Sequence, residues 1–151
     1  MLRFFSALAL AVTFAACSGQ PADTASKDSP ASFTNEAVAS DTRLAAVLVY
    51  ADWCGSCKVL DPKLTQAKAE GPIDGLQYFV LNYTDRDDDA FFASADSLGF
   101  GAPIRTKLAE GVKTGILLLV DLDDGTIVGD LRKELSAEEI RAAMVAATAS
   151  A

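Results

Sequence analysis

The sequence predicts an α/β domain, and three features carry that prediction. Leu44 to Ala51 is a nearly unbroken apolar run of strand length, the pattern of a central strand covered on both faces. It leads through Asp52 and Trp53 into a helix-like segment that opens on Cys54-Gly55-Ser56-Cys57-Lys58. Beyond that point strand-like and helix-like stretches alternate, with Asp123-Asp124-Gly125 marking a late hairpin. A chain of 151 residues has room for one core of ordinary size, and no second folded domain is expected.

Read from the start, Arg3 precedes an apolar run from Phe4 to Ala16, interrupted only by Ser6 and Thr13. That run is too short for a membrane span of roughly 20 residues and reads as a secretory signal, residues 1–16. Phe14-Ala15-Ala16-Cys17 resembles a bacterial lipobox, which implies lipidation of Cys17. The alternative is an ordinary signal peptide cut near Ala16, with Cys17 left as a stray thiol. Residues 17–32 hold no large apolar side chain and read as a flexible tether with a reach on the order of 20 Å. Residues 33–151 form the expected domain.

Within it, Phe33 to Arg43 suggests a short helix with Thr34 as N-cap and Phe33, Ala37 and Val38 as its apolar face. Cys54 to Glu70 reads as a helix presenting Val59, Leu60, Leu64 and Ala67 to the sheet, kinked at Pro62 and stopped by Gly71-Pro72. Leu76 to Asn82 is a second strand, and Asp87 to Leu98 a second amphipathic helix with Ala90, Phe91 and Phe92 toward the core. Gly99 to Gly115 is glycine-rich and weakly periodic, and is expected to be mostly loop. Its Gly99, Phe100, Gly101 and Pro103 suggest either a flexible lip beside the cysteines or a plain connection. Ile116 to Val120 and Thr126 to Leu131 form the hairpin strands. Ser136-Ala137-Glu138-Glu139 is a capping box for a last helix to about Thr148, with Ile140, Met144 and Val145 apolar.

The chemistry sits at the cysteine pair. A Cys at a helix N-terminus faces unpaired backbone N–H groups and the positive end of the helix dipole, both of which favour thiolate over thiol. Three residues on, Cys57 lies on the same face, close enough to close a disulfide with Cys54. Three cysteines are present in all, so setting Cys17 aside leaves these two as a closed pair. With no histidine and only two free thiols, a structural zinc site lacks ligands, and no metal and no cofactor beyond the redox pair is expected. The net charge of −8 argues against nucleic acid as a partner.

Trp53-Cys54-Gly55-Ser56-Cys57-Lys58 after a buried strand, Pro62 eight residues beyond the first Cys, the late strand, the Asp-Gly hairpin, Gly129 beyond it and the terminal helix together resemble the thioredoxin family. The resemblance covers about residues 33–149 and runs to periplasmic, membrane-tethered members. It implies a thioredoxin-like fold, with a central mixed β-sheet flanked by helices on both faces. It also implies that Cys54 is an exposed nucleophile, Cys57 the buried resolving thiol and Trp53 a flat wall for a partner polypeptide. Gly55, Ser56 and Lys58 would then complete the active-site loop, and Thr114, Gly115 and Gly129 would contact substrate.

Two positions depart from the family. Leu48 stands where a buried Asp is usual, which leaves a proton acceptor to be supplied by water, Asp52 or Asp61; Asp61 shares a helix face with Cys57 but is expected to be a solvated surface carboxylate. Gly115 stands where a cis-proline is usual, and a trans peptide is expected there, since a non-proline cis bond costs about 3 kcal/mol. Pro103 is the alternative for that role. The function expected is thiol–disulfide exchange on protein thiols or disulfides, reductive rather than oxidative by resemblance, with a separate redox partner protein. The protein is expected to be monomeric and anchored to a bacterial membrane, facing the periplasm, with Ser18 favouring the outer membrane. A different class of function, a binding module that holds a protein or copper(I) through the two sulfurs without turnover, is the alternative.

Overall fold

The computed structural model describes Phe33 and residues 35–151. The signal segment 1–16, Cys17, the rest of the tether 17–32 and Thr34 lie outside the described residues. Eight elements follow in order: β1 (Leu44–Tyr50), α1 (Gly55–Ala69), β2 (Leu76–Asn82), α2 (Asp88–Ser97), α3 (Gly101–Lys107), β3 (Ile116–Asp121), β4 (Ile127–Arg132) and α4 (Ala137–Thr148). They build a mixed four-stranded sheet of order β2-β1-β3-β4. β1 and β2 are parallel, a pairing that needs a long crossover, here α1. The β1–β3 and β3–β4 pairs are antiparallel.

The apolar run of β1 is explained by two buried faces. Leu44, Ala46 and Leu48 pack with Leu60 and Leu64 of α1 and Ile140 and Met144 of α4. Ala45, Val47 and Val49 pack with Phe91, Phe100 and Ile104 from the α2–α3 side. Helices therefore cover both faces of the sheet, the thioredoxin-like arrangement the sequence led us to expect. The capping box of α4 forms as expected, with Ser136 accepting from the Glu139 N–H and Glu139 accepting from the Ser136 N–H.

Several expectations are corrected. Phe33 to Arg43 is not a helix. Asn35 instead bonds both backbone groups of Val80, donating to its carbonyl at 2.8 Å and accepting from its N–H at 2.9 Å, while Gln77 bonds the backbone of Ala37 and Ala39. Side-chain amides thus pin the segment along the open edge of β2, which outweighs a weak helical preference and covers an edge strand. Ala37 and Val38 are exposed rather than part of an apolar face.

The stretch from Gly99 to Gly115 contains α3 rather than being mostly loop. Pro103 sits in the first turn of α3, where its missing N–H has no partner to lose. Phe100 is no lip; it is buried edge-on against Phe79, with ring centroids 5.2 Å apart. Pro103 borders Asp124 and Thr126 of the β3–β4 turn, at the opposite end of the sheet from the cysteines, so it does not take the place of the family proline. Val59, Ala90 and Val145, expected in the core, are exposed.

Phe100→Ala is expected to lower the unfolding free energy by about 3–5 kcal/mol, as for a large aromatic removed from a packed core. Urea unfolding measures it; a lip residue would shift stability by less than about 0.5 kcal/mol.

Candidate active site

β1 delivers the chain to Ala51, and the Cys54 N–H donates to the Ala51 carbonyl at 3.0 Å, closing the turn that separates strand from helix. Cys54 has an extended backbone and caps α1 with its own sulfur, which accepts from the Cys57 N–H at 3.1 Å. A sulfur in that position meets the donors and the dipole that favour thiolate. Cys54 and Cys57 are paired as a disulfide, with Cα atoms 5.3 Å apart. Cys57 is fully buried, and its Sγ lies 3.8 Å from the Val49 carbonyl oxygen. Cys54 is only 5% exposed, so the exposed nucleophile implied by the resemblance is corrected to a nearly buried residue.

Gly115 lies against the sulfur pair. Its N–H donates to the Val49 carbonyl at 2.8 Å and its φ is +77°. A Cβ there would lie 2.5 Å from Ser56 Cβ, 3.2 Å from Cys54 Sγ and 3.3 Å from the Cys57 nitrogen. Only glycine tolerates both the conformation and the approach. No cis peptide occurs among the described residues. Thr114 stands beside Gly115, half-buried, while Gly55 and Lys58 are exposed and Ser56 is half-buried.

Gly129 does not join them. It pairs with Leu119 on β3, about 13 Å along the strand from Gly115. A Cβ on it would lie 2.9 Å from Leu119 Cδ1, so it is a packing glycine.

Leu48 is buried in the core on the α1 side. Asp61, the one carboxylate within α1, is not the solvated side chain expected. It is half-buried, its Oδ1 is covered and without a hydrogen-bond partner, and burial raises its pKa against the opposing pull of Lys68. Asp52 is half-buried too, with its N–H donating to Thr84 Oγ1 at 3.2 Å.

Sequence reasoning missed the β2–α2 loop. Trp53 is 45% exposed, and its Nε1 donates to the Thr84 carbonyl at 2.9 Å. Tyr83 meets its ring edge-on at 6.4 Å, and the Arg86 guanidinium stacks over it at 4.4 Å. The signal was present: β2 is parallel to β1, so the residues after Asn82 emerge at the same end of the sheet as Cys54.

A buried-strand-to-helix junction carrying a disulfide, on a mixed sheet covered on both faces, defines an α/β dithiol–disulfide domain. Residues 25–90 match the family model described as thioredoxin, and the strand order and the Cys-x-x-Cys pair agree with a thioredoxin-like fold. Among solved structures, the chain is similar to Trxlp from Edwardsiella tarda EIB202, at 23% identity over 68% of this chain and 82% of that one, with a TM-score of 0.44. It is also similar to StoA from Bacillus subtilis, at 15% identity over the same shares, with a TM-score of 0.46. No curated protein matches the chain.

Two outcomes follow from this geometry. Gly115→Ala is expected to destabilise the fold by about 1–3 kcal/mol, read by urea unfolding, and to slow reduction of the disulfide by dithiothreitol. Asp61→Asn is expected to raise the thermal midpoint at pH 7. A carboxyl whose folded pKa is raised above its ordinary value of 3.8 holds the fold best while protonated and weakens it as pH rises through the folded pKa. The gain is therefore expected to fade as pH falls below that value.

Proposed function

We propose that the chain is a thiol–disulfide oxidoreductase of the protein-disulfide reductase type, held at a bacterial membrane by lipid on Cys17 and facing the periplasm, with the outer membrane favoured by Ser18. The observation that carries the reading is the Cys54 sulfur capping α1 beneath Gly115, with Cys57 directly behind it. In the reduced protein, Cys54 thiolate attacks one sulfur of a substrate disulfide, forming a mixed disulfide and expelling the other substrate sulfur, which takes up a proton. Cys57, deprotonated, then attacks Cys54 Sγ and releases the second substrate thiol. Two electrons have passed to the substrate, and the Cys54–Cys57 disulfide is regenerated. A separate protein dithiol must reduce it again for the next turn, because an oxidising compartment does not.

The protein partners are polypeptides that dock on Trp53 and lay an extended segment past Thr114 and Gly115. The anchor supplies membrane retention while the tether lets the domain turn; no helix among the described residues is long and apolar enough to cross a membrane.

Insulin-disulfide reduction by the mature chain tests the activity: Cys54→Ser and Cys57→Ser are each expected to abolish turnover, and Cys57→Ser to accumulate the mixed disulfide. Stoichiometric copper(I) binding with no turnover in the parent chain would replace this reading by the binding module. Cys17→Ala is expected to abolish palmitate labelling and release the protein from the membrane fraction.

A further inference from the structure

We infer that Arg86 is a specificity-determining residue that selects substrate segments bearing a carboxylate beside their reactive cysteine. The inference rests on the exchange reaction proposed above and adds which segments it accepts.

Arg86 is the one non-glycine residue with a positive φ, +57°, among the described residues. A left-handed backbone at a residue with a long side chain is strained and persists only where its surroundings fix it. Here they do. The Arg86 N–H donates to the Tyr83 carbonyl at 3.2 Å, the Thr84 N–H to Asn82 Oδ1 at 2.8 Å, and Thr84 accepts from both Asp52 and Trp53. The loop is thereby tied to the residues that immediately precede Cys54, and the guanidinium lies on the Trp53 ring at 4.4 Å.

That guanidinium makes no hydrogen bond or ion pair among the described residues, although Asp85 and Asp87 flank it in sequence. Asp87 caps α2 by accepting from the Ala90 N–H at 3.0 Å, and Asp88 accepts from the Tyr83 hydroxyl at 2.6 Å. The guanidinium lies over the indole, and its N–H donors remain available to a ligand. A fork of parallel donors on a rigid plane fits a carboxylate, which accepts through two oxygens. A residue one or two places from a sulfur bonded to Cys54 is within reach of Trp53 and Arg86, because Trp53 directly precedes Cys54 and extended chain advances about 3.3 Å per residue. The net charge of −8 repels acidic polypeptides at long range, so the selection is a short-range one, made by position of the carboxylate and not by overall charge.

The test uses two disulfide peptides of identical composition, one with Glu next to the cysteine and one with that Glu at the far end. The parent chain is expected to reduce the first with kcat/KM about 3- to 10-fold higher. Arg86→Ala and Arg86→Gly are expected to bring the ratio to one, the second without backbone strain, and Arg86→Lys to keep only part of it. A ratio of one in the parent, or an unchanged ratio in Arg86→Ala, overturns the inference. Binding of the same peptides with serine for cysteine, read by fluorescence of Trp53, the chain's one tryptophan, separates this from the proposed activity. Position-dependent affinity lost in Arg86→Ala supports the inference even if no peptide is reduced; equal affinities count against it even if both are.

Discussion

The contact on which the site depends is the hydrogen bond from the Cys57 N–H to Cys54 Sγ. It requires α1 to begin at Gly55, so that Cys54 is the capping residue and not the first helical one. That starting point is fixed by β1, whose seven residues are locked between β2 and β3 and covered on both faces. A slip of one residue would exchange the two cores and rotate the cysteines off the end of the sheet. The most apolar part of the chain is therefore what sets the position of its reactive sulfurs.

The same strand organises the opposite wall. Val49 pairs with Ile116, and its carbonyl accepts the Gly115 N–H while lying near Cys57 Sγ. One carbonyl thus holds the glycine against the sulfur pair. Because no Cβ fits at that place, the surface against Cys54 on this side is backbone.

Legibility in the sequence followed burial and length. β1 could be read because it is apolar on both faces, and α4 because Ser136 and Glu139 announce its start. The edge segment after Phe33 could not, because its conformation is set by Asn35 bonding Val80 and by Gln77 of β2 bonding Ala37 and Ala39, across about 40 residues, information that no local window contains. α3 has seven residues with a glycine and a proline at its start, too few turns for a period to show, and it is held by Phe100 and Ile104 packing into the core. At the site, the cysteines, Trp53 and Gly115 were legible as a set. Gly129 was misplaced because spacing along a chain does not report position along a sheet, and Asp61 because helical periodicity places a carboxylate near an edge of the apolar face without saying how far the neighbouring side chains cover it.

Gly115, just before β3, lies against the sulfur pair without a side chain, and Leu48, in the core on the α1 side, brings no polar group. Cys54 and Cys57 cluster with Ala51 and Tyr50, and the Val49 carbonyl oxygen lies 3.8 Å from Cys57 Sγ. Polar side chains gather instead on the β2–α2 loop, where Thr84 ties down Asp52 and Trp53 and Arg86 lies on the indole. Two environments are thereby separated. The helix terminus gives Cys54 Sγ a backbone donor in the Cys57 N–H, whereas the loop holds the exposed Trp53 and Arg86 beside it, with the left-handed backbone of Arg86 fixed by the same loop.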